Sequence, residues 1–329
     1  MTGQLPAAAH VGRVALRVAD LDRVTEFYRS IAGLDVLDRT ADRATLGAGE
    51  TPLLVLLSAP DAPERADDAA GLFHVALRVP TRAALGAVLE RLETDWRLTG
   101  ASDHHVSEAL YTRDPAGNGL EVYVDRPRET WPETDDGQVA MDTLPLDREG
   151  LREAAREGGE KGNGSGAGEP GAAASLPPET DLGHVHLETT DVDGAVAFYE
   201  EVVGLRVRQR IGGDAVFLAA GDYHHHVGVN AWGKRRSPAD DEHLGLAWYE
   251  FVVPETAALD ALRGRLADAN VVGRGVEMGG EVDASQADAT RADSTRADAG
   301  ESLAVTDPDG ITVRFRVASA IGDSTGGDH

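Results

Sequence analysis

The sequence predicts an α+β fold of four strand–helix–strand modules, because one residue pattern recurs four times along its 329 residues. The stretch VALRVADLDRVTEFYRSIAGL, from Val14, matches VHLETTDVDGAVAFYEEVVGL, from Val185, almost position for position. GLFHVALRVPTRAALGAVLERL, from Gly71, matches GLAWYEFVVPETAALDALRGRL, from Gly245, in the same way. A repeat of this length indicates one supersecondary unit that is used several times. The modules begin near residues 11, 71, 182 and 245.

Each module opens on a strand followed by a helix. VALRV alternates apolar and polar residues with the period of a strand, and Asp20 can cap the amphipathic helix behind it. That helix carries Phe27-Tyr28 and ends at Gly33-Leu34. The second and fourth modules close with TRDPAGNGLEVYV and VTDPDGITVRFRV, in which turn residues lead into a last strand. Glu121 in LEVYV is a carboxylate among apolar neighbours, so it needs a cation or a hydrogen-bond partner.

Two segments interrupt the modules. Residues 127–180 run through EGGEKGNGSGAGEPGAAASLPPET, a Gly-rich linker whose central part has too little apolar content to pack. Residues 281–300 form a low-complexity acidic insertion before the last strand. We expect both to be disordered. The modules before the linker form a first predicted domain, residues 11–126, and those after it a second, residues 181–318.

Composition limits the chemistry. Cysteine is absent, which excludes a disulfide scaffold, thiolate catalysis and a Cys-ligated metal. The net charge of −26 argues against a nucleic-acid partner. No stretch is long enough to span a membrane and no signal peptide is evident, so we expect a soluble, cytoplasmic protein. Lys161 and Lys234 are the only lysines, and this acidic, lysine-poor composition resembles that of proteins from salt-accumulating archaea.

If the acidic surface is adapted to high salt, KCl should stabilise the protein. We expect the free energy of unfolding in urea to rise between about 0.1 M and about 1 M KCl, because salt screens the repulsion between carboxylates. Equal stability in dilute buffer would refute the halophilic interpretation and leave the assignment of the active site untouched.

The paired modules, with the stretches GHVHL, DHHVSEALYTRDPAGNGLEVYVDRP and GDYHHHVGVNAW, resemble the catechol 2,3-dioxygenase-like branch of the vicinal oxygen chelate superfamily. This superfamily also contains glyoxalase I and the fosfomycin- and bleomycin-resistance proteins. The resemblance covers everything except the linker, the insertion and the tail. It implies that the modules are βαβββ units, paired into two half-open barrels that can hold a metal.

By this resemblance, the metal ligands come from the first strand of one module and from the first and last strands of its partner. Aligning the repeats assigns to the four first strands, in order, Arg13, His74, His184 and Trp248. The last strand of module two offers Glu121, and we align Thr312 of module four with it. Pairing consecutive modules therefore gives no set of two histidines and a glutamate.

Pairing module two with module three does give such a set. His74, Glu121 and His184 would form a facial triad that leaves open positions for a bidentate substrate and O₂ on Fe(II), and Mn(II) suits the same ligands. Modules one and four would then close a second cup without a metal set, around Arg13, Trp248 and Thr312. A competing geometry keeps consecutive pairing and completes the site across a homodimer.

Further site residues follow from the extradiol dioxygenase signature, which the series from His104 through Tyr111 and Asp114-Pro115 to Glu121 resembles, with Ser102 as a departure. The resemblance implies that His104 and Tyr111 hydrogen-bond the substrate hydroxyl and the metal-bound oxygen species. His105 should point to the surface if the segment is extended.

The run Tyr223-His224-His225-His226 closes module three. The resemblance puts His225 at the position of the acid–base histidine, and in a strand it would point opposite to both neighbours. His224 and His226 are the alternatives if the register slips by one. His186 shares a face with His184 and is expected to contact the substrate or support the ligands; it could also be the ligand itself.

Together these residues favour an Fe(II)-dependent extradiol dioxygenase that cleaves the ring of a catecholic or hydroquinone-like aromatic with O₂. A metal-dependent isomerase or lyase of the glyoxalase kind is the second hypothesis, although such sites usually carry a second glutamate. The third is a binding or resistance protein without turnover. Its members often lose the ligands, whereas this chain keeps one complete set.

Overall fold

A computed structural model describes residues 4–135, 137–161, 175–268 and 302–318. The first two modules have the βαβββ pattern. Module one contains β1 (His10–Val18), α1 (Leu21–Phe27), β2 (Asp35–Arg39), β3 (Arg43–Ala48) and β4 (Thr51–Ser58). Module two contains β5 (Gly71–Arg78), α2 (Arg82–Thr94), β6 (Gly100–Asp103), β7 (Ser107–Arg113) and β8 (Gly119–Asp125).

The linker contributes a 3₁₀ turn (Arg128–Thr130), β9 (Leu144–Pro145) and α3 (Arg148–Lys161). Module three contains β10 (Asp181–Glu188), α4 (Val192–Ala197), β11 (Arg206–Ile211), β12 (Ala215–Ala219) and β13 (Val227–Asn230). The described part of module four contains β14 (Gly245–Val253), α5 (Thr256–Asp268), β15 (Ser302–Thr306) and β16 (Thr312–Val317).

The modules form two mixed sheets, and each sheet contains the modules that the predicted ligand set requires. One sheet has the order β15-β16-β14-β1-β4-β3-β2 and so joins modules four and one. The other has the order β11-β12-β13-β10-β5-β8-β7-β6-β9 and joins modules three and two. The first strands meet antiparallel at the centre of each sheet, β14 against β1 and β10 against β5. The predicted pairing of module two with module three is confirmed, and the predicted α+β class of paired βαβββ modules is confirmed with it. The division into domains at the linker stays a prediction.

The first helix of modules one and three is short because it changes winding. α1 begins where the Asp20 side chain accepts a hydrogen bond from the Arg23 amide, as its sequence predicted. It then passes into a π-helical turn, Tyr28–Ala32, and module three has the same turn at Phe198–Val203. Both turns end on a glycine in the left-handed region, with φ of 88° at Gly33 and 89° at Gly204.

The linker is more ordered than the sequence predicted. α3 packs on α2 with Leu151 fully buried, and β9 adds a last strand to the nine-stranded sheet. The helices approach so closely that a Cβ on Gly86 would lie 2.2 Å from the Leu151 carbonyl oxygen. The prediction that residues 127–180 are disordered throughout is therefore wrong. The centre of the linker, residues 162–174, and the acidic insertion, residues 281–300, lie outside the described residues.

One buried carboxyl group links stability to pH. Asp307 accepts hydrogen bonds from the Tyr199 hydroxyl (2.9 Å) and from the amides of Asp309 and Ile311 (2.9 Å each). Burial raises the pKa of Asp307 from 3.8 to about 7, an effect that the neighbouring Asp309 reinforces and these hydrogen bonds only partly offset.

Because the pKa of Asp307 is raised in the folded protein, the free energy of unfolding decreases as the pH rises. Between about pH 4 and pH 7 the folded protein keeps a proton on Asp307 that the unfolded chain has lost. Its contribution to the free energy of unfolding is therefore complete below pH 4 and falls as the pH rises through 7. We expect Asp307→Asn to remove this component, so that the stability difference between wild type and variant, measured by urea unfolding, changes by a few kcal/mol from pH 5 to pH 7.5. A difference that does not vary with pH would contradict the assignment.

No helix among the described residues is long and apolar enough to cross a membrane.

Candidate metal centre

Three adjacent strands of the nine-stranded sheet bring the predicted ligands together. β10 runs antiparallel and β8 parallel to β5, which lies between them. In this register His184 and Glu121 both lie opposite Ala76, one on each side. His74 precedes Ala76 by two residues and so faces the same side of the sheet. Because Ala76 is small, it leaves the space between the three polar side chains open.

The ligand atoms of this triad converge at one buried point. Oε2 of Glu121 lies 2.9 Å from Nε2 of His74 and 3.2 Å from Nε2 of His184. The two Nε2 atoms are 3.3 Å apart. The exposed fractions are 5% for His74, 3% for Glu121 and 2% for His184. Within the described part of the chain, no other group of three His, Asp or Glu residues has this geometry.

These distances suit a divalent metal. Two cis ligands at about 2.1 Å from an octahedral ion lie about 3.0 Å apart, and at a tetrahedral ion about 3.4 Å apart. Two of the three observed separations, 3.2 and 3.3 Å, fall in this interval, and the third, 2.9 Å, lies just below it. Two imidazoles and one carboxylate on one side of an ion form a facial set that leaves the opposite side open.

The protonation states also suit a metal. Burial would raise the pKa of Glu121, but the facing His184 and His74 outweigh it and hold the pKa well below its usual range. Burial lowers the pKa of His184 to about 4. The two directions agree at neutral pH, where a carboxylate stands beside the neutral imidazole of His184, and these are the forms that bind metal.

Of the three consecutive histidines, His225 lies beside the triad. The rings of His225 and His184 have centroids 4.0 Å apart. His226 is held elsewhere, because its Nδ1 accepts a hydrogen bond from the Ala220 amide. The run lies in the turn that precedes β13 rather than in a strand, so strict alternation does not apply to it. Both His224 and His225 consequently turn toward each other, with Nδ1 atoms 2.7 Å apart.

A chain of hydrogen bonds connects His225 to a carboxylate that the sequence reasoning missed. Nε2 of His224 lies 3.0 Å from Oδ1 of Asp125. Oδ2 of the same carboxylate accepts hydrogen bonds from Arg78 (3.1 Å) and from the Tyr223 hydroxyl (3.0 Å). Asp125 follows Glu121 by four residues and therefore shares its face of the strand. That period-two spacing in LEVYVD was the available signal.

His104 and Tyr111 form a pair at the other side of the triad. Nδ1 of His104 is 2.6 Å from the carbonyl oxygen of Asp142, and its Nε2 is 2.7 Å from the Tyr111 hydroxyl. The Tyr111 ring lies 5.7 Å from that of His74. Asp142 belongs to the linker that we expected to be disordered, and its backbone oxygen carries no sequence signal. His105 is exposed, as expected; the segment bends there instead of continuing extended, with φ of 66°.

His186 lies next to the triad without belonging to it. Its ring is perpendicular to that of His74, with centroids 5.0 Å apart. In the strand register it stands opposite His74, while His184 stands opposite Ala76.

The seven-stranded sheet carries a second cup without a metal set, but one of its predicted members is wrong. β5 and β8 pair Ala76 with Glu121, whereas β14 and β16 pair Glu250 with Arg314. Since Ala76 and Glu250 occupy equivalent positions in the repeats, the counterpart of Glu121 is Arg314 and not Thr312. Thr312 and Arg314 are two residues apart on β16, so their side chains lie on the same face of the strand. The alternation of faces along the strand therefore cannot distinguish them.

Arginines fill this second cup. The guanidinium of Arg314 lies 4.2 Å from the Trp248 ring centroid, and that of Arg13 lies 5.9 Å from it. Glu250 accepts bonds from Arg13 (2.9 Å) and Arg316 (3.1 Å). Among the described residues of this cup, guanidinium groups and an indole ring occupy the positions at which the other sheet has the triad.

Sequence comparison identifies the family. The profile of the Glyoxalase/Bleomycin resistance protein/Dioxygenase superfamily matches residues 10–122 and 181–315. The chain belongs to this superfamily. A curated member, the catechol-2,3-dioxygenase of Bacillus subtilis (strain 168), is 40% identical over 266 residues, which cover 79% of this chain and 88% of that protein.

Solved structures of the superfamily share the fold. A candidate dioxygenase from Bacillus subtilis covers 96% of this chain and 86% of its own, with a TM-score of 0.59 and 13% identity. Glyoxalase I from Zea mays covers 94% of this chain and 92% of its own, with a TM-score of 0.53 and 14% identity. At these identities the likeness concerns the fold alone.

Proposed function

We propose that the protein is an Fe(II)-dependent extradiol dioxygenase that opens the ring of a catecholic or hydroquinone-like aromatic. The observation that carries the proposal is the convergence of His74, Glu121 and His184 on one buried point, within 3.3 Å of one another. The 40% identity to a catechol-2,3-dioxygenase over most of both chains supports the same chemistry. His225, His104 and Tyr111 surround the triad and are the proposed catalytic residues.

His74, Glu121 and His184 would hold the ion, and Mn(II) fits the same donors. When bound, Fe(II) would supply chelation of the two diol oxygens, which lowers their pKa, and an open position at which O₂ is activated. The burial of the triad keeps bulk water from competing for those positions.

Tyr111 and His104 can hold and move a proton. A carbonyl oxygen only accepts, so Nδ1 of His104 carries the hydrogen that it donates to Asp142. Nε2 then carries a lone pair, which accepts a hydrogen bond from the Tyr111 hydroxyl. Burial, with the charge of Glu121, raises the pKa of Tyr111 well above its usual value and keeps the phenol protonated. Its oxygen can therefore accept a proton from a diol hydroxyl while its own proton passes to His104.

His225 supplies a second acid–base group on the opposite flank. Burial and the neighbouring histidines lower the pKa of His225 well below its usual value, so the ring is neutral and can accept a proton. The contact with His184 sets its ring 4.0 Å from a proposed ligand, and the bond to His224 fixes its orientation. A group positioned in this way contributes about 10²–10⁴ to a rate.

Oxygen uptake distinguishes the proposed reaction from its competitors. Metal-free protein is loaded anaerobically with Fe(II) or with Mn(II), mixed with catechol, and followed with an oxygen electrode and by the absorbance of the product. We expect uptake that depends on the added metal and is absent in Glu121→Ala treated in parallel. An isomerase would convert an α-keto hemithioacetal without consuming O₂, and a binding protein would retain catechol unchanged. Either result would refute the proposal.

A further inference from the structure

The hydrogen bonds between Asp125 and His225 have a direction, and it decides which nitrogen of His225 can accept a proton. His224 is the middle member of this chain. Its Nε2 lies 3.0 Å from Oδ1 of Asp125, and its Nδ1 lies 2.7 Å from Nδ1 of His225. A neutral imidazole carries one N–H and one lone pair. The position of the proton on one ring therefore determines its position on the next.

Asp125 sets the direction at one end of the chain. Burial would raise the pKa of its carboxyl group, but the hydrogen bonds and charges of His224 and Arg78 outweigh burial and hold the pKa below its usual value. Oδ2 already accepts hydrogen bonds from Arg78 (3.1 Å) and from the Tyr223 hydroxyl (3.0 Å). An ionised carboxylate accepts hydrogen bonds and donates none. Nε2 of His224 therefore carries the hydrogen that it donates to Oδ1.

This proton on His224 fixes the tautomer of His225. With Nε2 protonated, Nδ1 of the neutral His224 ring is a lone pair. Two nitrogens that lie 2.7 Å apart need one hydrogen between them, because two hydrogens or two lone pairs would repel each other. Nδ1 of His225 is therefore the donor. The lone pair of the His225 ring is left on Nε2.

Nε2 of His225 is open to a ligand beside the triad. It has no hydrogen-bond partner among the described residues, yet it does not belong to the buried polar atoms without a partner, which include Nε2 of His186. The His225 ring lies 4.0 Å from the ring of His184, so its lone pair belongs to the space next to a proposed ligand. A group that accepts a proton from a substrate has to present a lone pair there.

Aromatic packing keeps His224 in this orientation. The residue is 1% exposed, and the rings of Tyr223 and Trp131 lie 4.0 Å and 5.3 Å from its ring. The Tyr223 hydroxyl is held in turn by the Tyr123 hydroxyl, 2.7 Å away. A half turn of the His224 ring about its Cβ–Cγ bond would put carbon atoms in the places of both nitrogens. Both hydrogen bonds of the chain would then be lost.

We propose that Asp125 and His224 are positioning residues that hold His225 in the tautomer with a proton on Nδ1 and a lone pair on Nε2. This inference rests on the proposed ring-cleaving function, in which His225 accepts a proton, and adds the residues that prepare it. Asp125 and His224 act through His225 rather than on the substrate. The neighbour of one ring nitrogen determines the state of the other.

The tautomers of the wild type are the first test, and they do not depend on turnover. Full-length, metal-free protein is labelled with ¹⁵N in its histidines, and the spectra of wild type, His224→Gln and His225→Gln are compared to assign the two rings. Protonated and unprotonated ring nitrogens differ widely in ¹⁵N chemical shift. At neutral pH we expect a proton on Nε2 of His224 and on Nδ1 of His225. A proton on Nε2 of His225 would overturn the inference.

Asparagine in place of Asp125 is the second test. Because Arg78 only donates, the amide oxygen stays on its side and the amide NH₂ turns toward His224. His224 then accepts at Nε2 and donates from Nδ1, so the proton of His225 moves to Nε2. We expect the ¹⁵N spectrum to show this exchange. In the iron-loaded variant, kcat for catechol should fall about 100-fold, with iron content and KM little changed.

Two further variants distinguish positioning from a general loss of structure. Asp125→Asn combined with His225→Gln should be no slower than His225→Gln alone, because Asp125 acts only through His225. Asp181→Asn is the matched control. Asp181 also accepts a hydrogen bond from Arg78 (2.9 Å) but is not a member of the chain, so the tautomers and kcat should match those of wild type.

The spectra and the kinetics together decide the outcome. If Asp125→Asn keeps the wild-type tautomers, the inference is wrong whether or not kcat falls, and the proposed function stands. An exchange of tautomers without a fall in kcat would equally overturn the positioning role. If the iron-loaded wild type takes up no oxygen with catechol, the proposed function is refuted, while the ¹⁵N spectra still decide the tautomers.

Discussion

Alanine in place of Glu121 is expected to leave a folded protein that no longer binds iron stoichiometrically. The carboxylate is the one anionic member of the triad, and its oxygen is the atom that both histidines face. Removing it should weaken metal binding by more than about 100-fold, since even the partners of metal ligands contribute 10- to 100-fold. Iron per chain after gel filtration, measured by elemental analysis, is expected to fall from near one to near zero. His74→Ala and His184→Ala should do the same.

Two controls accompany this prediction. Tyr111→Phe alters a residue that lines the site without being a ligand, so iron content should be retained. Trp248→His places a histidine in the second cup, where Arg13 and Arg314 remain, and should create no second iron site. Full iron retention in Glu121→Ala, with native circular dichroism, would contradict the ligand assignment.

Glutamine in place of His225 is expected to lower kcat by about 10²–10⁴ while iron content stays unchanged. The amide is close in size to the imidazole and can keep a hydrogen bond to His224, but it cannot take up a proton. Steady-state oxygen uptake at saturating catechol measures the effect, and KM should change much less than kcat.

The run of three histidines supplies the matched control. His226→Gln changes a neighbour whose ring bonds to the Ala220 amide away from the triad. Its kcat should remain within a few-fold of wild type. The exposed His105 can serve as a second control. If His225→Gln retains wild-type kcat while His226→Gln loses it, the acid–base role belongs to the other histidine.

The sequence predicted the pairing of modules because the family resemblance assigns the metal ligands to equivalent strand positions in the repeats, and ligand-type residues are rare in apolar strands. Only one pairing assembles His74, Glu121 and His184, and the nine-stranded sheet has that pairing. The same reasoning misaligned Thr312, because a shift of two residues preserves which face of a strand a side chain occupies. The strand register pairs Glu250 with Arg314, and aligning TRDPAGNGLEVYV with VTDPDGITVRFRV at their shared Asp-Pro turn gives the same counterpart of Glu121.

Some parts of the site could not be predicted from residue patterns, and the reasons are physical. The Asp142 carbonyl reaches His104 through a backbone atom, which no residue type encodes. The linker that supplies it looked unable to pack, yet α3 buries Leu151 against α2. Local composition underestimates order where a neighbouring element provides the apolar surface. The bond between His224 and His225 likewise depends on a turn, where strand periodicity fails.

In the proposed reaction, the triad supports cleavage of an aromatic ring with incorporation of both atoms of O₂. Isotope balance tests it most directly: iron-loaded protein converts catechol under ¹⁸O₂, and the product is analysed by mass spectrometry alongside the oxygen consumed. We expect one O₂ to be consumed per catechol and the product to be an acyclic hydroxy-semialdehyde that carries label from both oxygen atoms at the moment of formation. An unlabelled quinone with accompanying hydrogen peroxide, or recovery of intact catechol, would contradict it.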